Sequence, residues 1–297
     1  MSLFEPHQIK INEPLKNHTT FKIGGPADIM LFPASIEELQ KAVNICNANN
    51  LPYFIMGQGS NLLVRDGGYR GIVIKIGACL KKYLVQDTKI YAEAGVRLSE
   101  LSRTAAAHGL TGLEFAEGIP GSLGGAVVMN AGAYGGEIKN VLESVQAISA
   151  NQIQTYTVGD LEMAYRQSIF QTNHAIIVSA VLQLERGEKE VIQSSMRDYA
   201  RRRREKQPLD FPSAGSVFRR PEGIYVGPII EKMGLKGFCI GDAQVSSKHA
   251  GFIVNKGNAT AHDVLQLIGF IQEKAYQTYG IKLKTEIEII GEDHQDT

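Results

Sequence analysis

The chain has 297 residues, with 31 basic and 31 acidic side chains and therefore a formal net charge of zero at neutral pH. With 43% hydrophobic and 21% charged residues, its composition is typical of a folded globular protein and unlike that of a disordered chain. Zero net charge removes any electrostatic reason to expect nucleic acid or an anionic membrane as the main partner.

The N-terminal segment and the cysteines predict the compartment. Glu5 and Pro6 interrupt the apolar core that a signal peptide would need, and no apolar run approaches the roughly 20 residues of a transmembrane helix. Cys46, Cys79 and Cys239 are widely spaced, without a CxxC pair. We interpret them as packed thiols in a reducing compartment, and we expect a cytoplasmic protein.

The first predicted elements alternate between strand and helix. The segment SIEELQKAVNICNANNLP predicts a helix in which Ser35 and Glu38 form a capping-box pair. Its apolar positions share one face: Ile36, Leu39, Val43 and Cys46. Because it lies between the strand-like runs DIMLF and YFIM, a right-handed crossover unit is expected.

The middle of the chain predicts strands, two helices and a sheet. LLV and GIVIKI predict strands on either side of a turn at Asp66-Gly67-Gly68, and LSELSRTAAAHG predicts a helix that ends at Gly109. A short helix is expected to begin near Ser122. The alternating segments VLESVQAISANQIQTYTV and AIIVSAVLQLE predict a mixed, strand-rich layer.

The last third begins after a basic helix. EKEVIQSSMRDYARRRREKQP predicts a helix that stops at Pro208, where loss of periodicity indicates a domain boundary. A further helix is expected between Thr260 as N-cap and Gly280, followed by IKLKTEIEII as a strand with alternating faces. We predict an α+β fold in three parts, residues 1–75, 76–207 and 208–297.

The first glycine loop, Gly57-Gln58-Gly59, is not a dinucleotide-binding fingerprint of the Rossmann type. Its third glycine is replaced by Leu62, it leads into a strand, and no acidic residue follows about 20 positions on. Its backbone N–H groups, with the Ser60 hydroxyl and the Asn61 amide, could hold phosphate oxygens. A plain polar turn between two strands fits this loop equally well.

A second glycine loop favours the phosphate interpretation. Eight glycines lie between Gly112 and Gly136, and Gly118 and Gly121 stand just ahead of the predicted short helix. A helix N-terminus behind flexible glycines is an anion site. We expect helix–sheet packing to account for one or two of these glycines, and the binding of a dinucleotide by two loops to account for the set.

Three segments in this order carry a family resemblance: NHTTFKIGGPAD, GQGSNLL and GIPGSLGGAVVMNAGAYGGE. From about residue 17 to 290 the chain resembles the UDP-N-acetylenolpyruvoylglucosamine reductases, flavoenzymes of the vanillyl-alcohol-oxidase-like superfamily. The resemblance implies a two-lobed FAD-binding module followed by a C-terminal α+β substrate-binding domain. It also implies non-covalent FAD, NADPH as electron donor, and reduction of an enolpyruvyl ether to UDP-N-acetylmuramate for peptidoglycan. The stretch after Arg166 is too short for the tyrosine-bearing insertion of some members, so the chain resembles the shorter form.

The segments AYRQS, PSAGSVFRRP and KTEIEIIG resemble the catalytic parts of that family, which implies that Arg166, Ser216 and Glu286 are catalytic. Hydride addition to the enol ether leaves charge that delocalises onto the neighbouring carboxylate, where a bidentate guanidinium would stabilise it. Glu286, if protonated through a raised pKa, could donate to the same group. The Ser216 hydroxyl would protonate the carbanion.

The remaining predicted site residues follow the same motifs. FAD is expected to contact Gly57, Gln58, Gly59, Ser60, Asn61, Leu62, Gly118, Ile119, Pro120, Gly121, Ser122, Gly124, Gly125, Ala126 and Asn130. The UDP-sugar is expected to contact Tyr165, Arg219, Arg220, Lys248, His249 and Asn255. No metal is expected, because the seven histidines form no ligand-like pair. The run Arg201 to Arg204 is interpreted mainly as a solvated basic helix end, since consecutive helical residues point in different directions.

Two other classes of protein remain as alternatives. A related flavin oxidase acting on an alcohol or sugar would more often attach its flavin through His or Cys near the first glycine loop, and none occurs from Gly57 to Gly71. A nucleotide-binding regulatory protein without catalysis would not need Arg166, Ser216 and Glu286 together. The sequence does not predict the oligomeric state.

Overall fold

The computed structural model describes residues 4–293, except the side chain of Ala78. Within that range it has seven α-helices: α1 Ile36–Ala48, α2 Leu98–Ala107, α3 Leu123–Val128, α4 Phe170–Asn173, α5 Lys189–Lys206, α6 Val226–Lys232 and α7 Ala261–Tyr279. No helix in this range combines the length and apolar character needed to cross a bilayer.

The described strands are short and numerous. In chain order they are β1 Ile9–Pro14, β2 Pro26–Leu31, β3 Tyr53–Met56, β4 Leu62–Val64, β5 Tyr69–Lys75, β6 Tyr83–Gln86, β7 Lys89–Glu93, β8 Leu110–Thr111, β9 Gly132–Ala133, β10 Gly136–Glu137, β11 Leu142–Ser149, β12 Gln152–Thr157, β13 Ile176–Gln183, β14 Glu185–Arg186, β15 Cys239–Ile240, β16 Ala243–Val245, β17 Ile253–Asn255 and β18 Glu288–Ile290. One four-stranded sheet has the order β1-β2-β5-β3. The mixture of helix and strand confirms the predicted α+β class.

The predicted helices are confirmed at their positions. Ser35 caps α1 by accepting from the Glu38 N–H at 3.2 Å. The Glu38 carboxylate does not return to Ser35; it accepts instead from Ala34 N at 2.7 Å and Gln8 Nε2 at 2.6 Å. Gly109 and Gly280 follow α2 and α7 in the left-handed region, with φ of 66° and 67°, as expected for residues that end helices.

The chain divides into two compact units, each made of separate segments. The first unit contains the segments up to Lys10, Met30–Gln58 and Val73–Arg203, and the second contains Ile11–Ile29, Gly59–Ile72 and the chain from Arg204 onward. The three consecutive parts expected from the sequence stay a prediction.

The main sheet of the first unit has the order β12-β11-β13-β7-β6. The predicted strands β11, β12 and β13 are confirmed, β6 and β7 are strands that the sequence pattern did not predict, and every neighbouring pair is antiparallel. Ala150 and Asn151, both at positive φ, join β11 to β12 in a two-residue turn of the kind that antiparallel hairpins use. Helix α5 packs on α2 through Ala106, Ile192 and Met196.

The second unit packs α6 and α7 on the antiparallel sheet β15-β16-β17. Helix α7 buries Val264, Leu267, Ile268, Ile271 and Ala275, a spacing that follows the helical repeat. The expected strand from Ile281 to Ile289 is wrong for most of its length, because only Glu288–Ile290 pairs regularly, in parallel with β4. The residues before Glu288 form isolated β-bridges only, such as that between Thr285 and Phe218. Leu283 and Ile287 are nevertheless buried, as the alternation predicted.

Asp66 lies in the turn between β4 and β5 and caps α7. Its carboxylate accepts from Ala261 N at 2.8 Å and His262 N at 2.9 Å. Thr260 and Asp263 exchange the reciprocal bonds of a capping box. The first three N–H groups of α7, which no helix can satisfy internally, are therefore all bonded.

Replacing Asp66 by alanine should lower the free energy of unfolding by about 1–2 kcal/mol, because two N–H donors at the helix start lose a charged acceptor. Urea denaturation would measure this. Asp210→Ala is the matched control, since Asp210 is exposed and should change stability by under ~0.5 kcal/mol. Equal stability of the two variants would contradict the capping role.

The cysteines differ from the expectation in one respect. Cys46 is buried and Cys79 half-buried, whereas Cys239 is exposed, so the interpretation of all three as packed thiols is wrong for Cys239. That residue begins the edge strand β15, where side chains at alternate positions point away from the sheet.

Candidate functional site

The two glycine loops meet inside the first unit. A Cβ placed on Gly57 would lie 2.4 Å from Ser122 Oγ, so a side chain there would force the Ser122 hydroxyl to move. Gln58 Nε2 donates to the carbonyl of Gly77 at 3.1 Å and fixes the course of the loop. The two loops are about 60 residues apart in the sequence, and we expected them to share a ligand. Their contact supports that expectation.

The anion site expected at the start of α3 needs correction. The first two N–H groups of this helix donate to the neighbouring backbone, Leu123 N to Val96 O and Gly124 N to Ala94 O, both at 2.8 Å. They are therefore bonded within the protein, because the segment after β7 runs alongside the helix start. Gly125 is exposed, and a Cβ there would make only an ordinary 3.6 Å contact with Ser122 Oγ.

Packing explains more of the glycine cluster than the sequence suggested. A Cβ would come within 3.0 Å of other protein atoms at Gly112, Gly118, Gly124, Gly132 and Gly136. Close packing of all kinds thus accounts for five of the eight, more than the one or two that helix–sheet packing was expected to explain. Most of these glycines allow backbone segments to approach closely, and fewer of them are left to face a ligand.

The environment of Ser122 supports a bound cofactor at this place. Its side chain is 1% exposed, and within the described residues Ser122 Oγ has no hydrogen-bond partner. A buried hydroxyl without a partner is costly, so such groups are normally bonded to a ligand or water. Beside Gly57 and Gly125, it has the chemistry to bond a phosphate or ribityl oxygen of FAD.

Arg166 lies at the tip of a tight turn in the first unit. Ala164 and Gln167 exchange backbone hydrogen bonds of 3.2 and 3.1 Å, and Arg166 between them has a φ of 55°. Such a conformation is unfavourable for a residue with a side chain and often occurs at functional positions. Its guanidinium donates to the carbonyl of Gly132 at 3.1 Å and lies over the ring of Tyr165.

Three polar side chains fasten this turn to α3. Ser168 Oγ and Gln171 Nε2 donate to the carbonyl of Val128 at 2.7 and 3.2 Å. Asn130, which is fully buried, donates to Ala164 O at 3.0 Å and to Glu137 at 2.8 Å, and its Oδ1 accepts from Lys139 N. Asn130, predicted as a cofactor contact, thus connects α3, the Arg166 turn and the β9-β10 hairpin.

Ser216 and Glu286 lie on neighbouring extended segments of the second unit. Glu286 N donates to Val217 O at 2.7 Å, and Arg219 N donates to Lys284 O. Between these bonds, Phe218 and Thr285 form an antiparallel β-bridge. The backbone segments that carry these two predicted catalytic residues, which are 70 positions apart in the sequence, therefore lie next to each other. Arg166 belongs to the first unit.

Residues of the motifs NHTTFKIGGPAD and GQGSNLL form hydrogen bonds to these two segments. Asn61 Nδ2 donates to Glu286 O at 3.1 Å, and Thr20 Oγ1 donates to Ser213 O at 2.7 Å. Thr20 was not among the predicted site residues, although it stands in NHTTFKIGGPAD. No local pattern could have predicted its contact, because the partner is 193 residues away.

The predicted substrate residues have different environments. Asn255 is buried: its Oδ1 accepts from Gly257 N and Ala259 N and so organises the loop after β17, and its Nδ2 donates to Phe21 O. The Lys248 ammonium donates to the carbonyl of Arg204. Tyr165 is 44% exposed, and Arg220 is exposed over Tyr225.

His249 is half-buried. Its Nδ1 accepts from Gly251 N at 3.1 Å, which assigns the proton of the neutral ring to Nε2. A Cβ on Gly227 or Gly251 would lie 3.2 or 3.0 Å from His249 Cε1, so two glycines make room for the ring. Burial lowers the pKa of His249.

The pKa of His249 is lower in the folded protein than in the unfolded chain, where it is about 6.5. The neutral ring therefore stabilises the fold, and this contribution is fully present above about pH 6.5. That contribution is lost as pH falls below this value towards the folded pKa, because the unfolded state then binds more protons. We expect the loss of stability between pH 7.5 and pH 5 in urea denaturation to be smaller in His249→Asn, whose amide oxygen can replace Nδ1. His7→Gln, at an exposed histidine, is the control; an unchanged pH dependence in His249→Asn would contradict this assignment.

The basic run requires a second correction. Arg203 is only 8% exposed, in contrast to its neighbours Arg201, Arg202 and Arg204. The interpretation of this run as a solvated helix end is therefore wrong for Arg203, since α5 turns that position towards Gly118. Residues 4–293 contain no group of three or more His, Cys, Asp or Glu side chains arranged to hold a metal ion; His294 lies outside this range.

Comparison with known proteins covers almost the whole chain. Residues 207–290 match the family described as UDP-N-acetylenolpyruvoylglucosamine reductase, C-terminal domain, and residues 27–153 match the family described as FAD binding domain. The chain is 57% identical over 289 residues to the UDP-N-acetylenolpyruvoylglucosamine reductase of Syntrophomonas wolfei, covering 97% of each. It is 51% identical to that of Clostridium kluyveri, covering 98% of this chain and 96% of the other. The crystal structure of the reductase from Thermus caldophilus is similar, with a TM-score of 0.81 and 36% identity over 95% of this chain and 97% of that one.

Proposed function

Because the chain belongs to the UDP-N-acetylenolpyruvoylglucosamine reductase family, we propose that it reduces UDP-N-acetylenolpyruvoylglucosamine to UDP-N-acetylmuramate, with Arg166, Ser216 and Glu286 as its catalytic residues. It is an FAD-dependent oxidoreductase that takes electrons from NADPH. The observation that supports the residue assignment is the bond from Glu286 N to Val217 O, which places the segments that carry Ser216 and Glu286 next to each other.

FAD, when bound, supplies hydride to the enol ether after accepting it from NADPH. The residues proposed to hold it are Gly57, Gln58, Gly118 and Ser122, together with the segment Gly59–Leu62. The partnerless hydroxyl of Ser122 supports this proposal. Gly57 supports it as well, because its missing side chain leaves that hydroxyl in direct contact with the first loop.

Each catalytic residue has a distinct task. Arg166 pairs with the substrate carboxylate and stabilises the negative charge that grows there; a guanidinium has five N–H donors, so its bond to Gly132 is compatible with bidentate pairing. Ser216 gives its hydroxyl proton to the carbon beside that carboxylate. Glu286, on the segment next to that of Ser216, is proposed to act on the same carboxylate.

The substrate contacts proposed are Tyr165, Arg219, Arg220, Lys248 and His249. Asn255 is proposed to act indirectly, by shaping the loop that follows β17. The stretch from Gln167 to Gln183 is taken up by α4 and β13, in agreement with the shorter form of the family. Since the UDP-sugar and NADPH are water-soluble nucleotides, the cytoplasm is the proposed compartment.

An anaerobic titration tests the function directly. Purified protein should show flavin absorbance that bleaches with NADPH and returns on addition of UDP-N-acetylenolpyruvoylglucosamine. UDP-N-acetylglucosamine, which lacks the enol ether, is the matched control and should leave the flavin reduced. Recovery with both sugars, or with neither, would contradict the proposal.

A further inference from the structure

Arg203 is the one member of the basic run that packs into the first unit. It lies four residues after Tyr199 on α5, so both side chains are on the same face of the helix. Gly118 has a φ of 75°, and a Cβ there would lie 2.9 Å from Arg203 Cδ and 3.0 Å from Arg203 Nε. The arginine stem therefore rests directly against the backbone of the glycine loop that precedes α3.

The same helix face also holds the far end of the glycine-rich segment. Tyr134, between β9 and β10, stacks on Tyr199 with ring centroids 4.6 Å apart and an interplanar angle of 7°. The Arg203 guanidinium carbon lies 5.7 Å from the centre of the Tyr134 ring, within the range of a cation–π contact. Two points of the segment, 16 residues apart, thus contact a single pair of side chains.

Two neighbouring groups, Tyr134 and Glu117, influence the charge of the guanidinium. Burial lowers the pKa of Arg203, and Tyr134 and Glu117 act in the opposite direction. An arginine nevertheless stays protonated, because its ordinary pKa lies far above neutral pH. Glu117, immediately before Gly118, favours the charged form of the guanidinium.

We propose that Arg203 is a positioning residue for the flavin site: with Tyr199 it holds Gly118 and Tyr134 on α5 and so fixes the glycine-rich segment in the conformation that binds FAD. The proposal rests on the proposed assignment of the Gly118 to Ser122 loop to FAD. Arg203 acts through these contacts and is not itself proposed to touch the cofactor or the substrate.

Three variants test separately the charge of the Arg203 guanidinium, its planar shape and its position on α5. Arg203→Met keeps the stem and removes the guanidinium, Arg203→Lys keeps the charge and removes the planar group, and Arg201→Met changes an exposed arginine two positions earlier. The dissociation constant of FAD from apoprotein, measured by flavin fluorescence, should rise at least about tenfold in Arg203→Met and less in Arg203→Lys. It should stay within about twofold of the parent in Arg201→Met.

Amide hydrogen exchange of the apoprotein gives a second readout that does not need the cofactor. Exchange should accelerate at residues 116–121 and 132–136 in Arg203→Met, and far less at β11 and β13. Unchanged exchange and unchanged FAD affinity in Arg203→Met would overturn the proposal. If that variant fails to fold, parent-like exchange and affinity in Arg203→Lys would overturn it. If the parent protein binds no FAD, the cofactor assignment fails, and the exchange data alone decide whether Arg203 orders the segment.

Discussion

Ser216→Ala is expected to separate the two halves of the reaction. Reduction of the flavin by NADPH should proceed at the parent rate, whereas reduction of the enol ether should slow by about 10²–10⁴-fold, the usual cost of losing a general acid. Anaerobic stopped-flow absorbance resolves the two steps, since the first bleaches the flavin and the second restores its colour.

The fold should tolerate this change. Ser216 is half-buried in an extended segment that is held by its backbone, through Val217 N to Gly251 O and Glu286 N to Val217 O. Alanine keeps both bonds, so the loss should appear in the rate of the second step and not in the urea midpoint of unfolding.

Ser213→Ala is the matched control on the same segment. The backbone carbonyl of Ser213 accepts from Thr20 Oγ1, and that bond survives the substitution. We expect both half-reactions at parent rates in this variant. A Ser216→Ala enzyme with full turnover would show that the proton comes from another group.

Features that depend on neighbours in the sequence could be predicted. The ends of α1 and α7 follow from Ser35, Thr260 and Gly280, because caps and left-handed glycines act within a few residues. The same is true of α5, which ends just before Pro208. Alternation predicted three of the five strands of the first-unit sheet, β11, β12 and β13, although strand direction depends on connections that alternation does not encode.

Features that depend on distant partners could not be predicted. Arg203 looks like its exposed neighbours in sequence, and only the placement of Gly118 and Tyr134 against α5 makes it a buried residue. Asn61 and Thr20 belong to recognisable motifs, but their contacts with Glu286 and Ser213 span the chain. A motif indicates that a residue matters, whereas the fold decides whether it meets the ligand or supports a residue that does.

Arg166→Lys tests whether the geometry of the guanidinium, in addition to its charge, stabilises the enolate. Lysine keeps the positive charge but cannot form two parallel bonds to a carboxylate. Removing a preorganised donor of this kind lowers kcat by about 10²–10³-fold. We expect a fall of that order in kcat for the enol ether, with flavin reduction by NADPH unaffected.

The left-handed backbone at Arg166 makes lysine a suitable replacement. Both residues have unbranched side chains, so the unfavourable φ of 55° costs parent and variant alike, and stability should change little. Arg186→Lys, at an exposed position in β14, is the control and should keep both rates. If Arg166→Lys retained the parent kcat, charge alone would suffice at this position; the bond from the guanidinium to Gly132 would then serve to hold the turn, and bidentate pairing with the carboxylate would have to be abandoned.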